Sequence, residues 1–386
     1  MMPTDESFSR KPANFPVPTL WFLGLIFLIG AGTFIQAING PSSLRAWQIF
    51  LVNFLFWTGI SQAGIVFSAV LYVTNAQWGK PIRRIAEGMV VFLPVSLLFF
   101  PLLFLGLDIL FPWIHGTGRG LHGSIAEEKV LWLHAPFHVV RDGIALLIVS
   151  GLSLVFVYYS VLGRERISRI LSPILLILYV LVYTLIAFDL VMALDPHWIS
   201  TLFGWYFFIG NFYAGLAAIA ISAVLMRRRF HLEESLTRSL FHDLGKLIFG
   251  FSLFWVYLFW SQYLTIWYGN LPEETEYIIV RVKEFPWVYL SWAVLLLAWV
   301  IPFLVLLGRN SKRSPLILLL VSIIVVIGIW LERYVLVVPS LWHEKTLPFG
   351  WVELFITLGF FAAFVFSYLV FTRKIVQLPV SCESVR

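Results

Sequence analysis

Residues 172–189, SPILLILYVLVYTLIAFD, and residues 314–332, SPLILLLVSIIVVIGIWLE, are two versions of one message. Each follows a Leu-Gly-Arg, at Leu162-Gly163-Arg164 and Leu307-Gly308-Arg309. Each then opens on Ser-Pro, runs through apolar residues and arrives at an acid, Asp189 or Glu332. From Pro173 to Asp189 is roughly 24 Å of helix, and from Pro315 to Glu332 roughly 26 Å, at 1.5 Å per residue. Both acids therefore fall in the outer part of a bilayer. A charged acid at mid-bilayer costs about 2.5–3.5 kcal/mol on insertion scales, and such residues generally face a bundle interior or a cavity. A costly placement made twice needs a reason.

The rest of the chain supplies the membrane setting. Apolar residues make up 60% of it and charged residues only 12%, with a mean hydropathy of +0.89; a soluble domain carries about 25% charge. The apolar residues gather into ten runs, each long enough for a hydrocarbon core that takes about 20 residues of helix. They lie near Val17 to Ile38, Ala46 to Thr74, Ile85 to Phe111, Val139 to Leu162, Ile170 to Leu194, Thr201 to Met226, Leu244 to Gly269, Pro286 to Leu307, Pro315 to Val337 and Gly350 to Thr372. Alternating strand patterns are absent, which argues against a β-barrel. The expectation is an all-α integral membrane protein of ten transmembrane helices.

Charge orients it. With the N-terminus cytoplasmic, the inside segments hold 19 of the 27 Lys and Arg residues, the expected positive-inside bias. Both termini are then cytoplasmic, and residues 1–16 read as a cytoplasmic tail rather than a cleaved signal. The net charge of +6 is explained by topology and anionic lipid, so no nucleic-acid partner is implied. The single cysteine, Cys382, allows neither an internal disulfide nor a cysteine-ligated iron–sulfur cluster. His115, His122, His134 and His138 crowd one outer loop, His197 and His343 lie in others, and His231 and His242 face the cytoplasm. All fall outside the central parts of the runs, which argues against a haem held by two membrane histidines. His134 and His138 are four apart, but Pro136 between them weakens the shared helix face a metal would need.

The opening pair belongs to a longer duplication. The second run contains Gly59-Ile60-Ser61-Gln62-Ala63-Gly64 and the sixth Gly210-Asn211-Phe212-Tyr213-Ala214-Gly215, each followed by Ser-Ala-Val-Leu, at Ser68 to Leu71 and Ser222 to Leu225. This pairs runs two to five with runs six to nine. A period of four spans keeps both units in one orientation, related by an axis along the membrane normal. The expected organisation is a tail (1–16), a peripheral helix (17–45), two four-helix bundles (46–199 and 200–338), a tenth helix (339–373) and a second tail (374–386). Gly59, Gly64, Gly210 and Gly215 are expected where helices approach closely.

The stretch from Ala193 to Tyr206, with Asp195-Pro196-His197-Trp198 at its centre and Gly210 and Ala214-Gly215 after it, resembles the NrfD-like membrane subunits related to the polysulfide reductase anchor. More closely, Trp267-Tyr268-Gly269-Asn270-Leu271-Pro272-Glu273-Glu274-Thr275, and Lys129 to Arg141 with its Pro136-Phe137, resemble the ActF-like subunits of bacterial alternative complex III. Where several members have an aromatic residue soon after the arginine matching Arg141, this chain has Asp142 and Gly143. The resemblance implies a bacterial inner-membrane subunit of a quinol oxidoreductase that passes electrons to cytochrome c or to an oxidase. It implies no cofactor bound by this chain, with quinol, c-type haems and iron–sulfur clusters held by other subunits. The implied partners are a sister NrfD-like quinol-binding subunit, an iron–sulfur subunit, multihaem cytochrome c subunits and the lipid bilayer.

The residues themselves point to proton handling. Burial favours the protonated form of a carboxyl group, and a carboxyl that can exist in either form can pass a proton. A cytoplasmic-to-outer order would run from Glu87, or from Asp243 beside Lys246, through Ser61, Gln62, Asn211, Tyr213, Gln262 and Tyr263 to Asp189 and Glu332. The plainer reading is that these amides and hydroxyls tie helices together. Arg333 beside Glu332 would neutralise either that acid or Asp189 across the bundle. Glu273, Glu274 and Glu276 read as a solvated outer docking edge, and Trp198, Trp267 and Trp287 as an interfacial aromatic belt. Two other functions fit the pattern less closely. One is direct quinol binding on the outer side, with Asp189 or His197 accepting the proton; the other is secondary transport, which also uses parallel repeats.

Overall fold

The computed structural model describes residues 8–12, 16–111, 132, 134–195, 197–375 and 377–381. His115, His122, Lys129, Pro196 and Cys382, singled out above, lie outside the described residues. The helices are α1 (Val17–Ile38), α2 (Ser43–Val73), α3 (Gln77–Leu110), α4 (Pro136–Val161), α5 (Glu165–Leu194), α6 (Phe203–Phe230) and α7 (Arg238–Gly269). A shorter connecting helix α8 (Pro272–Lys283) is followed by α9 (Trp287–Leu307), α10 (Pro315–Ser340) and α11 (Trp351–Arg373). All but α8 are long and apolar enough to cross a membrane, ten candidate spans among the described residues. Two five-residue strands, β1 (Phe8–Pro12) and β2 (Gln377–Ser381), pair antiparallel and bring the two tails together on one face. An even number of spans requires the same.

The spans close into two rings. In the first, α2 packs on α3, α3 on α4, α4 on α5 and α5 back on α2; in the second, α6 packs on α7, α7 on α9, α9 on α10 and α10 back on α6. The rings join through α2 against α6, flanked by α5 against α6 and α10 against α2. Exchanging the two bundles maps each of these contacts onto its counterpart, which is the arrangement a parallel repeat demands. Asp189 on α5 and Glu332 on α10 thus occupy equivalent helices.

Helix composition follows position. The most apolar stretch of α2 is 100% buried inside the protein, whereas that of α1 is only 17% buried. α2 is apolar on every side because it has neighbours on every side, and its Asn53, Thr58, Ser61, Gln62 and Ser68 are all buried. α1 touches chiefly α11, and a Cβ on Gly30 would come within 2.7 Å of the Gly359 backbone. That close approach is what glycine permits between membrane helices. α11 in turn is clamped to the start of α2 by Arg45, whose Nε and Nη2 donate to Glu353 at 2.7 and 2.6 Å. The two peripheral helices therefore sit together beside the first bundle.

All four repeat glycines mark helix contacts. A side chain at Gly59 would strike the Asn211 amide and one at Gly215 would strike Ala63, both across the joint between bundles. One at Gly64 would lie 2.6 Å from the Ala86 carbonyl, and one at Gly210 would lie 2.9 Å from Arg333 Nη2. The Leu-Gly-Arg markers behave differently. Gly163 has φ +71°, a left-handed conformation suited to glycine, whereas Gly308 has φ −71°. α5 also begins at Glu165, so Pro173 lies inside a helix, while Pro315 starts α10.

A candidate site of two buried acid and arginine clusters

In bundle one a cluster is assembled at the end of α5 and the start of α4, opposite the face that carries the chain ends. Asp189 is completely buried. Its Oδ2 is paired with Arg141 Nη2, and its Oδ1 accepts from Trp132 Nε1 at 2.9 Å. The Arg141 guanidinium lies 3.9 Å over the Trp132 ring and 4.8 Å over that of Phe137. Its Nε is 3.5 Å from Asp142 Oδ1, and His138 Nε2 is 3.2 Å from Asp142 Oδ2. His138 and Asp142 are four residues apart on α4 and both buried, so they share one helix face. One guanidinium thus serves two carboxyl groups with an imidazole beside them. The cluster's charge changes whenever a proton arrives or leaves, whichever of the three groups takes it.

In bundle two Glu332 and Arg333 pair with each other, Nη1 to Oε2 at 2.8 Å, both buried. Adjacent residues on a helix diverge, yet Arg333 is long enough to fold back while its other arm is fixed. Nη2 donates to the Phe207 carbonyl at 2.9 Å and to Asn211 Oδ1 at 3.1 Å, and the guanidinium lies 3.9 Å over the Phe207 ring. The space comes from Gly210. Arg333 therefore does not reach across to Asp189, whose partner is Arg141. Tyr206 and Trp255 also face Glu332. Above them α8 closes the bundle: Tyr277 stacks on Trp198 at 3.7 Å and 4°, and Arg281 lies 3.4 Å over Tyr277. Arg281 donates to the carbonyls of Val335 and Leu336 and to Ser340 Oγ. Burial pushes the Tyr277 phenol up to about 12 and Arg281 below its ordinary value.

The family of polysulphide reductase NrfD matches residues 38–343. The chain belongs to the NrfD family. The matched stretch starts at the last residue of α1 and ends before α11, so it contains the two rings and leaves out both peripheral helices. NrfD proteins are integral membrane subunits of quinol oxidoreductases, working beside iron–sulfur subunits. This NrfD chain is accordingly a multi-pass membrane protein. No curated protein matches it.

Within this NrfD fold the remaining candidate residues divide between the bundles. Glu87, fully buried near the face that carries the chain ends, accepts from Ser68 Oγ at 2.7 Å, Ser160 Oγ at 2.5 Å and Arg84 Nη1 at 2.6 Å. The Tyr72 and Ser160 hydroxyls are 2.9 Å apart. Gln62 donates from Nε2 to Ser153 Oγ at 2.9 Å and accepts from it at 3.2 Å. Both groups belong to bundle one with Asp189. In bundle two Asn211 joins Arg333, and Tyr213 donates to the Ala298 carbonyl at 2.9 Å. That carbonyl lies four residues before Pro302, which has no N–H to offer it, and the helix widens there into a π turn over Leu296–Val300. Ser61 donates to the carbonyl of Trp57. Gln262 is buried without a hydrogen bond to the other candidates among the described residues, Tyr263 stacks on Trp260, and Asp243 pairs with Lys246 at 2.7 Å on the surface. The candidates therefore form two separate sets rather than one line.

The residues around Asp189 depart from the sequence expectation: His138 lies on α4 rather than in a loop, Asp142 faces His138 as well as Arg141, and Arg141 pairs with Asp189. His138 and Asp142 stand at helical spacing, the signal that marks this face, whereas His134 is exposed. The aromatic belt also needs correction: Trp267 is 64% exposed, but Trp198 and Trp287 are core residues. The acidic stretch after Pro272 forms helix α8.

Proposed function

We propose that this NrfD chain is an ActF-type subunit of an alternative complex III in a bacterial inner membrane, and that its first bundle carries protons for the complex. The observation behind this is the buried face of α4. His138, Asp142, Leu146, Val149, Ser150, Ser153, Phe156, Val157 and Ser160 are all buried and recur at the three- and four-residue spacing of one helix face. Polar groups occupy this face at both ends and in the middle. Ser160 contacts Glu87, Ser153 contacts Gln62, and Asp142 adjoins Arg141 and Asp189. The first step spans about 10 Å and the second about 16 Å along the helix. Apolar pairs, Phe156 with Val157 and Leu146 with Val149, separate the three stations, so a proton needs transient water to pass them.

On this reading the chain ends are cytoplasmic, Glu87 receives the proton and the Asp142–Asp189–His138 cluster releases it on the outer side. The lone cysteine and the histidine placement support a subunit without redox centres of its own. Electrons would pass through a sister NrfD-like quinol-binding subunit, an iron–sulfur subunit and multihaem cytochromes c. In the reconstituted complex, Asp189→Asn is expected to lower proton release per electron and Glu332→Gln to leave it near the original value. Unchanged coupling in both variants removes the proton role.

The outer cluster also supports a second reading, quinol binding at bundle one. Among the described residues, both nitrogens of His138 and both carboxyl oxygens of Asp142 are buried without a well-aligned hydrogen bond. One hydroxyl of a quinol would donate to a carboxyl oxygen of Asp142 or Asp189 or to the unprotonated nitrogen of His138. A photoreactive quinone that labels only other subunits counts against this reading and leaves the proton role standing.

A further inference from the structure

The turn between α2 and α3 and the start of α5 line a shallow, open hollow on the face that carries the chain ends. Its walls combine three cations, Lys80, Arg83 and Arg169, with one acid, Glu165, and its floor is Leu71 and Tyr72. We propose that this hollow binds the phosphate of an anionic phospholipid headgroup.

Its cations have charge to spare. Glu165 pairs with Arg169 at 3.4 Å, with both side chains about half exposed, so one acid stands against three cations. The acid nearest Arg83 is Glu87, 3.9 Å from Nε, and Glu87 is already held by Ser68, Ser160 and Arg84. Arg83 lies 4.4 Å over the Tyr72 ring, a contact that fixes the guanidinium plane. Its Nε is buried without a hydrogen-bond partner among the described residues. A planar guanidinium held in this way is suited to phosphate oxygens, and Lys80 adds a point charge. The hollow also lies at the level of lipid headgroups, because α2 ends at Val73 and α5 begins at Glu165. Its apolar floor would meet the glycerol and first methylenes of a lipid, which a free phosphate lacks.

The test uses the intact chain in detergent, titrated with phosphatidylglycerol, phosphatidylcholine or inorganic phosphate and read by native mass spectrometry. Each surface cation contributes about fivefold to anionic lipid affinity. Lys80→Gln with Arg83→Gln and Arg169→Gln is therefore expected to weaken phosphatidylglycerol binding by about a hundredfold. The control Arg227→Gln with Arg228→Gln, which removes cations elsewhere on the same face, leaves the tightest site intact. A photoreactive phosphatidylglycerol is expected to label residues 71–83. Saturation by inorganic phosphate with the same dependence on the three cations would support the phosphate site and assign it to the free anion. Equal losses in the triple variant and the control, or labelling confined to other helices, would overturn the proposal.

Discussion

The ends of the two bundles away from the chain termini each hold a buried acid and an arginine, but in different company. In bundle two, Glu332 and Arg333 are matched one to one, the arginine is bonded to Phe207 and Asn211, and α8 closes over the pair. In bundle one, Arg141 is shared between Asp142 and Asp189, with His138 alongside. Among the described residues only bundle one has a buried acid near the opposite face, Glu87, while each bundle has a polar pair between, Gln62 with Ser153 in one and Tyr213 with Ser252 in the other. The counterpart region of bundle two offers Asp243 and Lys246, paired at the surface. One bundle pairs a single buried acid with a single arginine, and the other has protonatable groups at both ends.

Removing an arginine should separate the two clusters most sharply. Arg333→Gln leaves Glu332 buried without its partner and is expected to cost about 3–5 kcal/mol, read from unfolding in detergent. Arg141→Gln should cost less, because that side chain keeps 13% exposure. Adding Glu332→Gln to Arg333→Gln should recover part of the loss; no recovery would mean that Arg333 matters through Phe207 and Asn211 alone. Tyr213→Phe in bundle two removes the hydrogen bond to Ala298, worth about 1 kcal/mol, and Ser153→Ala in bundle one removes the contacts with Gln62 and Val149, at about 1–2 kcal/mol. Only Ser153→Ala should reduce proton release per electron. A reduction by Tyr213→Phe instead would move the path to bundle two. An effect of comparable size separates the glycines of the two Leu-Gly-Arg markers. Gly163→Ala, at positive φ, should cost about 1–2 kcal/mol, and Gly308→Ala close to nothing.

Part of the architecture was legible in the sequence because hydrophobic length and glycine spacing are linear signals. The ten spans and the close approach at the four glycines could be read from spacing. Partner choice could not. Arg333 turns back to Glu332 because Gly210 leaves it room, and Asp189 meets Arg141 because α4 and α5 are neighbours in a ring; both facts depend on packing between distant segments. Tyr213 was read as a relay on the strength of its depth. Its proton is directed at a backbone carbonyl freed by Pro302, a requirement created 89 residues away in the chain. Asn211 sits where Gly59 makes space for it, at the joint between bundles, and so belongs with Arg333 rather than with Gln62.

The asymmetry between the bundles is tested most directly at the end where only one of them has a buried acid. In the complex reconstituted into vesicles, with assembly verified by co-purification of its subunits, proton uptake from the side of the chain ends is measured during quinol oxidation for Glu87→Gln. The account predicts that electron transfer continues while uptake slows by roughly tenfold or more, the scale on which a positioned acid acts. Uptake at the original rate in Glu87→Gln would contradict it.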